Sequence, residues 1–412
     1  MTSVIKIPAT ISRFGRLSLL LAVSCTSFFI SCPSGNTLST ASQQPLFANA
    51  PGSPVSVQSG PGNTLIGDLN NDRKLDLVVA FAGARSITVL EGKGNGQFGA
   101  ALSNTTLAEA PGEMALGDLN GDGKLDVAIT SHDSYGVVLL TGDGKGGLAR
   151  SPASPIVMRV GQHPHTHGLA VADINRDNKL DLITCNNADN DISLALGDGR
   201  GNFTRVPQSF PVGPSPYPFA VGDVNNDGWL DIVATASATG PSRRQQLPLS
   251  RALTLLLSDG NGGFLPHQLP LRTGEPWFAA IADLNSDGRA DIVATHHEQS
   301  ALTVMIGDGR GGFTEANESP FDLGVSIFQL IIADVDRDAT MDIVASRGDS
   351  IRVLLGDGRG VFKPAASIPV GPGAWRIATA DLNADGTVDV VTSNTESNSL
   401  SVLLGTQKLR ND

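Results

Sequence analysis

With only three cysteines in 412 residues, the chain has no material for a disulfide framework. Two of them, Cys25 and Cys32, fall in or beside the first apolar run, which leaves Cys185 as the single thiol of the body. Aromatic residues are scarce at 5%. Positive charge is also short: 29 Lys and Arg stand against 41 Asp and Glu, a formal charge of −12. With no basic stripe interleaved with aromatics, this balance excludes a nucleic-acid binder. The apolar run from Leu17 to Ser31 is too short to span a bilayer as a helix. Catalytic signatures are missing too: there is no H-E-x-x-H, no G-x-S-x-G, and no cysteine placed with a histidine and an acid, so no enzyme is expected. Glycine (47) and proline (24) are plentiful, and the 40% apolar fraction is enough for a packed core.

The N-terminus reads as an address. Lys6, Arg13 and Arg16 precede an apolar stretch with the length of a signal-peptide core, so residues 1–32 are set aside as an export signal. Phe29-Ile30-Ser31-Cys32 resembles a bacterial lipobox, with Cys25 a second candidate for lipidation. Residues 33–44, rich in Ser, Thr, Asn and Gly, then form a flexible tether. The expected location is the cell surface, periplasm or exterior, with membrane contact only through a lipid on Cys32.

One pattern fills the rest of the chain. It begins at Asp68, Asp118, Asp173, Asp223, Asp283, Asp334 and Asp381, in steps of 50, 55, 50, 60, 51 and 47 residues. Each unit has an apolar strand ending at that Asp, an acidic loop, and a second strand such as LDLVVA or LDIVAT. A third strand such as SITVLEG or IRVLLGD follows, then a glycine turn such as GDGRGGF and a more polar fourth strand. Four strands every fifty-odd residues is the arithmetic of a propeller blade. Seven units occupy residues 45–406, with 407–412 a short tail. The seventh stops at Leu404-Gly405 without its fourth strand, and residues 53–58 near the start match the missing piece. The expected fold is therefore an all-β, seven-bladed propeller of four-stranded blades, its last blade closed by the N-terminal strand.

The acidic loops carry the clearest chemistry. Position one is Asp68, Asp118, Asp173, Asp223, Asp283, Asp334 or Asp381; position three is Asn70, Asn120, Asn175, Asn225, Asn285, Asp336 or Asn383. Position five is Asp72, Asp122, Asp177, Asp227, Asp287, Asp338 or Asp385; position nine is Asp76, Asp126, Asp181, Asp231, Asp291, Asp342 or Asp389. Oxygens at these four places, with the backbone carbonyl of position seven, can wrap a hard cation that needs six or more oxygen ligands, and calcium is that cation. The alternative is a set of polar turns held by Asx-type hydrogen bonds, which need Asp or Asn at fewer places. Position six must turn sharply. It is Gly or Asn in five loops but Arg73 and Ala339 in units one and six, where weaker binding is expected. Seven divalent ions would bring the formal charge of −12 to about +2, so the acidity belongs to the loops and not to an interaction surface.

Seven units carrying D-x-[DN]-x-D-x-x-x-D between strands resemble FG-GAP (VCBS-type) repeats, the family of the integrin α-subunit propeller heads. The resemblance covers nearly all of the chain beyond residue 45. It implies a seven-bladed propeller with up to seven calcium ions in the loops, and a partner-binding face opposite them.

Other motifs carry less. The GDGRGG runs join strand to strand and so read as hairpin turns, not phosphate loops. Arg347-Gly348-Asp349 falls between the second and third strands of unit six and reads as a tight turn. Six residues before each loop stand Gly62, Gly112, His167, Tyr217, Trp277, Phe328 and Trp375, where the chain enters the first strand at the end opposite the calcium loop. The last five are the candidate ligand-binding residues, for a protein or a glycan; the alternative is that the rings only pack the channel mouth. His132, Tyr135, Asn186, Asn187, His296-His297-Glu298 and the 240–250 insert, with Arg243 and Arg244, are expected at the same face. His163, His165 and His167 alternate within GQHPHTHG and could take a transition metal, solvated loop histidines being the default. The expected function is a protein-recognition or adhesion module, the alternatives being a lectin-like propeller and, behind it, a polysaccharide-active enzyme.

Overall fold

A computed structural model describes residues 45–236, 251–296, 300–323 and 327–406. Over these residues the regular elements are all β-strands, and no helix is long and apolar enough to cross a membrane. The signal segment with Cys25 and Cys32, the tether, the 240–250 insert with Arg243 and Arg244, His297 and Glu298 lie outside the described residues.

Unit three shows how each unit is built. Thr166–Ala172, Asp181–Asn186, Asp191–Gly197 and Phe203–Arg205 pair antiparallel in chain order, in the register Ala170↔Ile183, Thr184↔Ser193 and Leu196↔Thr204. The first strand is buried at all seven positions, as a strand covered on both faces must be. The fourth strands are wetter: in unit four, Phe264–Pro270 is exposed at five of seven positions. Five sheets of four or five strands follow this plan in units one to five. Units six and seven share one larger sheet, because Asp342–Gly356 and Phe362–Ala380 run on as long strands.

That long strand shows how tight the turn expected at Arg347-Gly348-Asp349 is. The tripeptide sits inside Asp342–Gly356, with Gly348 at φ 54° and both charged neighbours exposed. No loop separates the second and third strands here; one left-handed glycine reverses the chain, which a Cβ would resist.

Because side chains alternate along a strand, each sheet offers one apolar row to the unit before and one to the unit after. Leu77 and Val79 of unit one meet Val391 and Val402 of unit seven, whereas Val78 and Ala80 meet Met114 and Val127 of unit two. Among the described residues seven such clusters occur, each shared by two consecutive units, and one of the seven joins unit seven to unit one. The first strands of neighbouring units also touch one another, which makes them the innermost.

The N-terminal segment completes the last sheet. Phe47–Asn49 pairs with the final strand in the register Phe47↔Gly405 and Asn49↔Leu403, and Val55–Ser56 pairs at Val55↔Leu400. The Val402 N–H donates to Ser53 Oγ at 2.9 Å between the two stretches.

Candidate functional site

Two ends of the inner strands carry chemistry. In unit three, His167 is the second residue of the Thr166–Ala172 strand and Asp173 follows its last, so the two ends lie roughly 20 Å apart at about 3.3 Å per residue.

At the acidic end, each loop curls around its own first carboxylate. In unit two, Asp118 Oδ1 accepts from the Asp122 N–H at 3.1 Å and Oδ2 from the Gly123 N–H at 2.9 Å, while Asn120 Oδ1 accepts from Asp122 N–H at 2.9 Å. Position six is left-handed throughout, from Asn178 at φ 63° to Gly228 at 85°. Arg73 (68°) and Ala339 (70°) adopt it as well, at a cost of roughly 1–2 kcal/mol that glycine would not incur. Position four is also left-handed: Asn71, Gly121, Arg176, Asn226, Ser286, Arg337 and Ala384 all have positive φ. Sequence reasoning missed this because only one of the seven is glycine.

Asx-type bonds of this kind hold ordinary polar turns as well as metal loops, so the curl alone does not call for a metal. The donor set does fit a hard cation. In unit six Asp334, Asp336 and Asp338 bring one oxygen each within 4.8 Å of one another, a density of carboxylate that a cation offsets. Lys74, Lys124, Lys179 and Arg289, at position seven, lie 3.3–3.6 Å from the position-five carboxylates and only partly neutralise them at the exposed rim.

Position nine differs from the other three. Asp126 is 1% exposed; its Oδ2 accepts from the Leu119 N–H at 3.0 Å and its Oδ1 from the Gly142 N–H at 2.9 Å. The same pair of bonds recurs at Asp76, Asp181, Asp231, Asp291, Asp342 and Asp389, tying the start of each loop to the end of the third strand. Burial raises these carboxyls, to about 6 at Asp181, Asp231, Asp342 and Asp389, against the lowering effect of the two N–H groups.

The opposite end gathers rings. His167 lies 4.0 Å from Tyr217, centroid to centroid, and Tyr217 stacks on Trp277 at 4.4 Å; Phe328 and Trp375 form a second pair at 4.6 Å. Two of the five are not available as platforms. His167 is 3% exposed and Trp277 9%, each covered by its neighbours, while Tyr217, Phe328 and Trp375 stay half-buried. Asn186, Asn187 and His296 are likewise turned inward: Asn186 donates to Asp191 and Ser193, Asn187 to the Pro216 carbonyl, and His296 Nε2 bonds Thr303 Oγ1 at 2.7 Å. Tyr135 is buried and donates to Asp189, which Arg159 also reaches at 3.0 Å.

Where units one and two have glycine, a polar group fills the mouth. Glu113 Oε2 accepts from Asn63 Nδ2 at 2.7 Å, and its Oε1 from Arg376 Nη2 at 2.6 Å, the guanidinium lying 5.7 Å from the Trp375 ring. Burial raises the Glu113 carboxyl, and the Arg376 charge beside it acts in the opposite direction. A sequence signal existed: Glu113 stands directly before the apolar inner strand Met114–Gly117, and Arg376 is a lone charge in the inner stretch of Phe362–Ala380. Their pairing across units two and seven was not readable. Burial also drives the His167 and His165 rings below the ordinary histidine range.

Five stretches of the chain, residues 68–129, 118–184, 173–234, 283–345 and 334–392, match the FG-GAP-like repeat, together well over half of the chain. The chain belongs to the FG-GAP-like repeat family. Each match runs from one acidic loop through the second strand of the following unit. A relative, Cartilage acidic protein 1 of Xenopus tropicalis, is 31% identical over 159 residues, covering 36% of this chain and 24% of that protein, so this FG-GAP chain spans about a quarter of that relative's length. Among solved structures, BBS1N in complex with ARL6DN superposes with a TM-score of 0.61 at 12% identity, covering 89% of this chain and 99% of that one. An Agrocybe aegerita lectin that recognises non-reducing terminal N-acetylglucosamine superposes with a TM-score of 0.56 at 18% identity, covering 82% and 86%. At such identities the likeness is one of fold, and the fold is propeller-like.

Proposed function

We propose that this FG-GAP chain is an exported, calcium-binding, seven-bladed propeller that recognises another protein through the end opposite its acidic loops. Seven apolar clusters joining consecutive units, with unit seven packed on unit one, support the blade count. Positions one, three, five and nine of the loops would supply calcium ligands, and the ion would neutralise carboxylates that backbone N–H groups only partly satisfy. Residues 1–32 support export.

The observation that carries the binding assignment is the separation of the two ends. The acidic loops occupy one, while Tyr217, Phe328 and Trp375 remain half-buried at the other, beside the Glu113–Arg376 pair. Aromatic residues and arginine in a partly desolvated setting are the usual anchors of protein interfaces. A glycan reading keeps one specific support, the fold likeness to the N-acetylglucosamine-recognising lectin. We assign no catalytic step.

Calcium-loaded protein applied to arrays of extracellular proteins and of glycans tests this. Protein ligands should be retained, and the double variant Phe328→Ala, Trp375→Ala should weaken them at least tenfold while its calcium-dependent melting stays within a few degrees of the parent. Retention of glycans alone, lost in Tyr217→Ala, would establish the lectin reading instead. Unchanged binding by the folded double variant sinks the assignment of this face.

A further inference from the structure

We propose that His132, His165 and His167 form a binding site for a divalent transition metal of the zinc class, chemically separate from the acidic loops and drawn from two units of the fold. His165 and His167 alternate as the chain enters the first strand of unit three, so both rings project to the same side. Their Nε2 atoms are 2.9 Å apart. His132 arrives from the turn after Asp126–Ile129 in unit two, and its ring centroid lies 4.6 Å from that of His167 and 5.5 Å from that of His165. The third centroid distance, His165 to His167, is 4.5 Å.

Three imidazoles with no carboxylate between them make an unusual packing unit. A phenyl ring would fill the same space without bringing ring nitrogens out of water. Two Nε2 atoms aimed at each other can share one proton between them, and the Nδ1 of the buried His167 ring has no hydrogen-bond partner among the described residues. A metal takes both Nε2 lone pairs at once. Ligand nitrogens on a tetrahedral zinc stand about 3.3 Å apart for bonds of roughly 2.0–2.1 Å. The observed pair therefore needs to open by only a few tenths of an ångström. His132 is exposed, so it can turn a nitrogen toward the pair by rotating its own side chain, with the core undisturbed. Three protein ligands leave a fourth position toward solvent.

The chemistry separates this site from the loops. Imidazole suits zinc, copper and nickel, whereas calcium takes oxygen ligands, so saturating calcium does not compete. His296 does not join, being bonded to Thr303. Nearby charge is mild: Asp133 acts on His165 and Glu113 on His167, and Arg376 offsets Glu113.

The test uses untagged protein in excess calcium, titrated with Zn2+ alone by calorimetry. One site is expected; His132→Ala and His165→Ala should each weaken it at least tenfold, and His267→Ala, exposed on the fourth strand of unit four, should leave it unchanged. Since His132 is exposed, its variant keeps the parent melting curve and decides the matter even if His165→Ala unfolds. Co2+ added to the parent should give the visible absorption of a tetrahedral, nitrogen-ligated ion. Absence of that band, absence of a zinc site in excess calcium, or equal affinity in folded His132→Ala overturns the proposal.

Discussion

The four oxygen-bearing positions of a loop look equivalent on paper, and the structure divides them. Asp122 is exposed and meets Lys124 at 3.3 Å, whereas Asp126 is buried and accepts from the N–H groups of Leu119 and Gly142. Removing Asp126 leaves two buried donors unpaired, which costs about 2–6 kcal/mol at the usual penalty per donor. Asp126→Ala should therefore lower stability in EDTA as well as in calcium. Asp122→Ala should lower it in calcium only. Denaturant unfolding of both variants under both conditions checks this, and equal losses in EDTA would show that position nine is no clip.

At the scale of elements, the last sheet depends on chain from both ends. Phe47–Asn49 and Val55–Ser56 cover the outer edge of Ser399–Gly405, and Phe47 and Ala50 enter the apolar clusters on the two faces of unit seven. Deleting residues 45–60 uncovers an edge strand and removes the contact that links the ends of the chain. The truncated protein should aggregate or lose its single cooperative transition, seen by light scattering and calorimetry. Deleting residues 34–40 should leave the transition unchanged. Equal melting of the two would mean that the pairing adds nothing. The strands themselves were legible, since their alternation and the turn residues between them are local. The merging of units six and seven into one sheet was not, because it depends on how far a ladder continues past Gly348 and Gly371.

For the whole molecule, the loops place more than half of the 41 acidic side chains at one end. A cation bound only by the folded state adds about 1.4 kcal/mol per site at ninefold excess over its Kd, and the contributions of separate loops accumulate. Chelation should lower the melting temperature by at least about 5 °C. Asp126→Ala should cost more calcium-dependent stability than Asp76→Ala, whose loop carries the strained Arg73. A melt indifferent to EDTA and to millimolar calcium would leave the loops as ordinary polar turns.

The sequence by itself determined what lies within reach of a few residues: the strand order of each unit, the nine-residue loops, and the hairpin turns, whose closing bonds such as Asp308 N–H to the Gly312 carbonyl at 2.9 Å are local. Spacing of two along a strand and of two or four around a loop is written directly in the chain. Only the tertiary structure decided what units do to one another. Trp277 and His167, read as platforms, are covered by neighbouring rings; Glu113 and Arg376, 263 positions apart, meet across the mouth; and His132 reaches histidines of the next unit. No local spacing encodes these contacts, because they arise from the angle at which successive sheets pack, and that angle is set jointly by the apolar rows between all the units.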